Sequence, residues 1–206
     1  MKILHLDTTH PFLEKELEKI GFENHFDFDS LKSDLKLYDY FGIIIRSRIS
    51  IDKDFINKCK NLKFIARIGS GIENIDVDYA KQKGIQIIST PEGNSNAVGE
   101  HALGMLLSLL NNINSSNKEV QKGIWNRESN RGIELKDKTV GLIGYGNTGK
   151  SFAKKLNGFD VNTIFYDIKK IKKDNYANPV SLNHLKDNSD IISLHTSITK
   201  ESIGLI

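Results

Sequence analysis

Lys138-Thr139-Val140-Gly141-Leu142-Ile143-Gly144-Tyr145-Gly146-Asn147-Thr148-Gly149-Lys150 is the stretch whose reading decides the fold. An apolar strand runs into Gly-x-Gly-x-x-Gly, and a helix-like segment, Ser151 to Asn157, follows. Each glycine has a physical task. Gly144 permits the tight turn out of the strand, Gly146 lets the backbone approach a pyrophosphate, and Gly149 lets the helix pack on the strand. The helix N-terminus then offers unpaired N–H groups and the positive end of its dipole to phosphates. A second strand, Val161 to Tyr166, ends in Asp167, 18 residues after Gly149. At that spacing a carboxylate accepts hydrogen bonds from ribose hydroxyls. Strand, turn, helix, strand and acid in this order mark a dinucleotide-binding unit rather than a glycine-rich turn with a surface aspartate.

Upstream, strands and helices alternate. Lys2 to Leu6 reads as a short buried strand, and Pro11 opens an amphipathic helix that Gly21 stops. Phe26 to Phe28 carries a weaker strand signal. Phe41 to Ile45, Lys63 to Ile68 and Ile85 to Ile88 are strong strands, separated by the helix-like pieces Asp52–Lys60 and Val77–Lys83. Such alternation argues for a parallel α/β sheet covered by helices. The loops after the three strong strands carry Arg46-Ser47-Arg48, Gly69-Ser70-Gly71 and Thr90 to Ser95. Guanidiniums, backbone N–H groups and an amide at the carboxyl ends of parallel strands suit a small anion.

Between the two halves lies a helix-like run from Asn96 to Gly123. Its apolar positions, from Val98 to Ile113, cover more than one stripe, as in a helix buried between domains or subunits. His101 within it reads as a hydrogen-bonded, buried imidazole. Trp125, the only tryptophan, follows in a segment without a core pattern; it anchors in a neighbouring subunit or packs locally. Downstream of the nucleotide motif, Lys169 to Asn178 is a charged loop, Ser181 to Asn188 a short helix, and Asp190 to Leu194 a third strand. In the sheet order 3-2-1-4-5-6, residues 139–143, 161–166 and 190–194 are expected as strands 1, 2 and 3, which leaves Val140 to Ile143 unpaired on one side.

Composition narrows the classes. The 206 residues carry a net charge of +3, with 27% charged and 38% hydrophobic residues, an ordinary balance without a nucleic-acid stripe. Cys59 is the single cysteine, so no internal disulfide forms, and it is expected as a buried structural thiol. No leader precedes an apolar run, and the apolar stretch around Met105 to Leu110 is too short to span a bilayer, so the expected location is the cytoplasm. No metal site is assigned.

Taken together, Arg46-Ser47-Arg48, the segment Arg67 to Asp76, Pro91-Glu92-Gly93-Asn94, Gly99 to Leu106, Gly123-Ile124-Trp125, Gly144 to Gly149 and Ser193-Leu194-His195-Thr196 form an ordered set. This set resembles the D-isomer-specific 2-hydroxyacid dehydrogenases, most nearly their 3-phosphoglycerate dehydrogenase branch, along essentially the whole chain. The resemblance implies a flavodoxin-like substrate domain (1–95), a Rossmann NAD domain (96–206) with a dimerisation arm (96–134), and a cleft between the domains. It implies NAD as cofactor, a small 2-hydroxy or 2-oxo acid as substrate, and a homodimer or higher oligomer. A 3-phosphoglycerate substrate would place the reaction in serine biosynthesis. Arg46, Ser47, Arg48 and Asn94 would match positions holding the substrate. The backbone N–H groups of Ser70 and Gly71 would match those binding its carboxylate, with Ser70 also near the nicotinamide. Gly144, Gly146, Asn147, Thr148, Gly149, Asp167 and Thr196 would match cofactor positions, and Trp125 would reach across the two-fold.

One departure goes with this match. The family's catalytic Arg, Glu and paired His come from later strands and loops, beyond Ile206, so the expected domain lacks its C-terminal half and the 206 residues alone are expected to be inactive. His195 matches a structural position rather than the acid/base. Two other readings are a non-enzymatic, NAD-sensing interaction protein resembling the family's co-repressors, and an inert relic.

Overall fold

The computed structural model describes residues 1–28, 37–199 and 202–205. They fall into two compact units, Met1–Gly93 and Asn94–Ile206.

The first unit alternates β1 (Lys2–His5), α1 (Pro11–Lys19), β2 (Glu23–Phe26), β3 (Tyr40–Ile45), α2 (Lys53–Lys58), β4 (Phe64–Arg67), α3 (Val77–Gln82) and β5 (Gln86–Ser89). All neighbouring strands pair in parallel, in the order β2-β1-β3-β4-β5. That is the flavodoxin-like order. Alternation sorts the side chains. Leu4, Leu6, Ile43, Ile45 and Ile65 meet Phe55, Ile56 and Ala80 of α2 and α3 in one core, while Ile3 and Ile44 are buried outside that cluster. The short helices start where the sequence provides caps: Asp52 accepts the Phe55 N–H and Asp76 the Tyr79 N–H. Cys59 is buried, its thiol donates to the Phe55 carbonyl, and burial pushes its pKa up to about 11.

The second unit opens with α4 (Ser95–Leu110) and α5 (Ile113–Gln121). The single helix expected from Asn96 to Gly123 is broken at Asn111 and Asn112. Asn112 adopts φ +51°, a left-handed conformation that asparagine tolerates, and the Asn111 amide turns back to the Leu107 carbonyl. His101 is exposed on α4, contrary to the expected buried imidazole, because the face that packs against the unit carries Gly99 and Leu106 instead.

Beyond the arm come β6 (Thr139–Ile143), α6 (Asn147–Leu156), β7 (Asn162–Tyr166), β8 (Asn178–Pro179), α7 (Leu182–Asn188) and β9 (Ile191–Leu194). The sheet order is β8-β7-β6-β9, parallel throughout. This corrects the expected strand positions. The two-residue β8, at the end of the stretch read as a charged loop, takes the third place, and β9 takes the fourth, beside β6. Val140 to Ile143 are therefore paired on both sides, with Thr163 to Tyr166 and with Ile191 to Leu194. A strand's periodicity reveals that it is a strand, not which neighbour it chooses. Val140, Leu142 and Phe165 pack with Phe152, Ala153 and Leu156 of α6, while Ile143 and Ile164 pack with Leu185 of α7. Gly141 permits that second contact, since a Cβ there would meet Leu185 Cδ2 at 2.8 Å. No helix among the described residues is long and apolar enough to cross a membrane.

Candidate functional site

In the second unit a cavity of about 640 Å³ opens at the carboxyl ends of β6, β7 and β9. That is where the strand order reverses direction around β6, the usual ligand position of a doubly wound sheet. Gly144, Tyr145, Gly146 and Asn147 line it from the turn after β6, Asp167 and Lys169 from the end of β7, and Thr196 from the end of β9. The volume lies within the roughly 300–1,000 Å³ of small-molecule sites.

The glycines do what their spacing predicts. Gly144 has φ +94°, and a Cβ there would meet the His195 carbonyl oxygen at 2.5 Å. Gly149 is buried, and a Cβ on it would run into the Gly144 carbonyl oxygen. At Gly146 a Cβ would meet nothing within 4 Å, so this glycine faces open space rather than protein. It is also the N-cap of α6, which has no side-chain cap, so the first-turn N–H groups remain available to an anion. α6 begins at Asn147, four residues before the expected Ser151, which places Thr148 and Gly149 inside its first turn.

Asp167 accepts the Tyr145 N–H at 2.7 Å and the Lys169 N–H at 2.8 Å. A carboxylate has about four acceptor positions, so two remain for ribose hydroxyls. Open space at Gly146, an uncapped helix start and a half-satisfied carboxylate fit a dinucleotide. Tyr145 sits between the glycines, fully buried and stacked on Phe165 with ring centroids 3.8 Å apart. Its hydroxyl lies 3.0 and 3.1 Å from the two Asp174 carboxylate oxygens, and Asp174 also accepts the Tyr176 and Ala177 N–H groups. Burial first, and then Asp174, hold the Tyr145 phenol far above its ordinary pKa. Asp174 moves the other way: its desolvation is outweighed by these hydrogen bonds and by Lys150, so its carboxyl titrates below the usual range. The latch pins the lysine-rich loop after β7. Sequence reading saw that loop only as charged.

His195 also lines the cavity. Its Nε2 is 3.0 Å from the Ser193 hydroxyl, its ring lies 5.5 Å from that of Phe152, and burial lowers its pKa.

In the first unit, Arg46, Ser47 and Arg48 follow β3, Gly69, Ser70 and Gly71 follow β4, and Thr90 follows β5. These three strands are adjacent, so their loops share the carboxyl edge of the sheet. The Gly69 N–H donates to Thr90 Oγ1 and the Thr90 N–H to the Gly69 carbonyl, both at 3.0 Å. Gly69 has φ +141°, and the Arg67 guanidinium lies where its Cβ would be; Arg67 Nε is buried without a partner among the described residues. Sequence reading quoted Arg67 without giving it a role. Arg46 and Ser47 are exposed. Arg48 is exposed as well, over 55% of its side chain, yet its Nε donates to Asp7 at 2.7 Å and its Nη2 to the Leu6 carbonyl at 3.0 Å. Asn94 lies in the second unit, as N-cap of α4, where its side chain makes no capping bond.

Trp125 is 85% exposed, which excludes local packing. Met105, Leu109, Ile113, Val120 and Ile124 are also exposed along the arm.

Comparison with known proteins agrees with this geometry. Residues 103–206 match the NAD binding domain of the D-isomer specific 2-hydroxyacid dehydrogenases. D-3-phosphoglycerate dehydrogenase of Archaeoglobus fulgidus is 37% identical over 170 residues, covering 81% of this chain and 32% of that protein. Hydroxypyruvate reductase of Thermotoga maritima is 36% identical over 200 residues, covering 97% of this chain and 64% of the relative. The chain thus spans between about a third and two thirds of these relatives' lengths. The crystal structure of D-lactate dehydrogenase from Aquifex aeolicus, complexed with NAD and lactic acid, superposes with a TM-score of 0.84 at 26% identity, covering 98% of this chain and 62% of that one.

Proposed function

The chain belongs to the D-isomer-specific 2-hydroxyacid dehydrogenases, and on that premise we propose that it serves an NAD-dependent oxidoreductase acting on the CH–OH group of a D-2-hydroxy acid. The observation that carries this reading is the cavity in which Gly144, Gly146, Asn147, Asp167 and Thr196 converge. Nicotinamide, when bound, supplies hydride transfer at C2 of the acid; the protein's part is binding, orientation and electrostatics. Gly146 and the first turn of α6, with Asn147 and Thr148, receive the pyrophosphate, and Asp167 receives the ribose hydroxyls. In the other unit, Arg46 and Ser47 supply side-chain donors to an acidic substrate, and the N–H groups of Ser70 and Gly71 receive its carboxylate. Relatives named for 3-phosphoglycerate and hydroxypyruvate make small, anionic three-carbon acids the first substrates to try.

The exposed apolar arm, with Trp125 at its end, supports association with a second copy across a two-fold axis. Calorimetric titration with NAD and NADP tests the cofactor reading. NAD should bind more tightly, because Asp167 accepts from a 2′-hydroxyl and repels a 2′-phosphate. Asp167→Ala should weaken NAD by roughly tenfold and narrow the difference, at about 1–2 kcal/mol for the lost charged hydrogen bonds. Equal or tighter NADP binding by the wild type would count against the assignment.

A further inference from the structure

Asp7 is a buried carboxylate at the carboxyl end of β1, and it holds the loop that follows the neighbouring strand β3. Its Oδ2 accepts the Arg46 N–H at 2.9 Å, across 39 residues of sequence, while its Oδ1 takes Arg48 Nε at 2.7 Å. From the other side, Asn74 Nδ2 donates to the Arg46 carbonyl at 3.0 Å and to the Ile49 carbonyl at 2.7 Å. Both backbone groups of Arg46 are thus tied to side chains from distant parts of the chain. The bridge between Ile51 and Ile75 closes the far end of the same loop.

Arg48 belongs to this scaffold. A guanidinium recognises an oxyanion best along one edge, with two parallel N–H groups. The Nε–Nη2 edge of Arg48 is already spent on Asp7 and the Leu6 carbonyl. Arg48 is 55% exposed over its side chain but has that edge engaged, whereas Arg46 and Ser47 are exposed alongside it. We infer that Asp7 and Asn74 are positioning residues that set Arg46 and Ser47 for an oxyanion, and that Arg48 is the strut of Asp7 rather than a ligand. The ligand part of this inference rests on the proposed reading of Arg46 and Ser47 as substrate donors.

Electrostatics and positioning predict opposite signs, which makes the test sharp. Asp7→Asn removes a negative charge near an anion site and releases Arg48. If Arg48 were a restrained ligand, binding would tighten. If Asp7 positions the loop, binding weakens, since small misplacements of a binding group are costly. With 3-phosphoglycerate as the calorimetric probe, Asp7→Asn should weaken binding roughly tenfold, and Arg48→Ala by a similar factor. The double variant should be no weaker than the worse single one, because both act through one contact. Tighter binding by Asp7→Asn, or additive losses in the double variant, would overturn the inference.

A second readout does not depend on the ligand. Amide exchange at Arg46 should accelerate at least about tenfold in Asp7→Asn and Arg48→Ala, while Ile43 and Ile65 in the same sheet keep their protection. Arg48 is exposed on the rest of its side chain, so its variant should fold even where Asp7→Asn does not. Unchanged exchange at Arg46 would refute the positioning role. If the wild type takes up no 3-phosphoglycerate, the substrate reading fails, and the exchange measurement alone decides the role of Asp7.

Discussion

The two units hold the loops at the carboxyl ends of their parallel strands by opposite means. In the second unit the loops close because side chains are absent: the Gly144 turn lies under the His195 carbonyl, and Gly149 lies against the Gly144 carbonyl. In the first unit they close because side chains are present: Asp7, Asn74 and Thr90 tie backbone groups of neighbouring loops together. A loop held by close approach tolerates no added atom. A loop held by polar ties tolerates added bulk better than the loss of one charge or amide.

The largest effects should come from adding atoms where the second unit has no room. Gly144→Ala combines a left-handed φ with backbone contact, and Gly149→Val forces α6 off the turn; each should cost about 3 kcal/mol or more in chemical denaturation. Gly146→Ala, two residues from Gly144, should leave stability within about 0.5 kcal/mol while cutting NAD affinity at least about tenfold. If Gly146→Ala destabilises as much as Gly144→Ala, the division between packing glycines and a ligand-facing glycine fails.

Next in size is a polar tie of the second unit, between Tyr145 and Asp174. Tyr145→Phe keeps the stack on Phe165 and loses the hydrogen bond to Asp174, which should cost about 1.5–3 kcal/mol. Asp174 keeps its two backbone donors, so the carboxylate is not left unsatisfied. Because its folded pKa is depressed, its contribution is complete above the ordinary carboxylate value of about 4 and fades as pH falls through the lower folded value. Tyr145→Phe should therefore flatten the acid limb of the stability curve.

A smaller effect should be common to both units. His5, fully buried and 2.8 Å from Asn24 Oδ1, and His195 both have pKa values lowered, chiefly by burial. A base with a depressed folded pKa is neutral in the fold while the unfolded chain still takes up protons. Its stabilising contribution is therefore complete above the ordinary imidazole value of about 6.5 and is lost as pH falls toward the folded value. Melting temperatures should decline below about pH 6.5, and His5→Gln should remove the first unit's share. The smallest effect concerns Cys59, whose buried thiol at about pKa 11 should resist alkylation at pH 8 until the first unit unfolds.

This contrast also explains what could be read beforehand. Gly144, Gly146, Gly149 and Asp167 were legible because backbone geometry demands those residue types at fixed spacings. Four strands of the first unit were legible through apolar runs bounded by turn residues, whereas β2, the polar stretch Glu23–Phe26, was read late, at Phe26 to Phe28. Asp7 was not, since a lone aspartate after a strand reads as a solvated surface group, and its partners lie 39 and 41 residues away. Tyr145 and Asp174, 29 residues apart, were hidden in the same way. The break at Asn112 was masked because asparagine is only a weak helix breaker and apolar residues continue across it. β9 was recognised as a strand but assigned the wrong neighbour.

That neighbour carries a consequence for how the molecule comes into being. β6 and β7 are joined by one short crossover; Thr139 and Asn162, at the start of the pair, are 23 residues apart. The matching contact toward β9, Thr139 with Asp190, spans 51 residues. On loop-closure entropy alone the longer closure costs about 0.7 kcal/mol more. During synthesis the β6–β7 pair emerges well before its other partner, and the wall carrying His195 and Thr196 arrives later. On a ribosome, the nascent chain should therefore acquire a glycine turn and a ribose acid before it acquires a pocket, and nucleotide capture should begin only after Thr196 has cleared the exit tunnel.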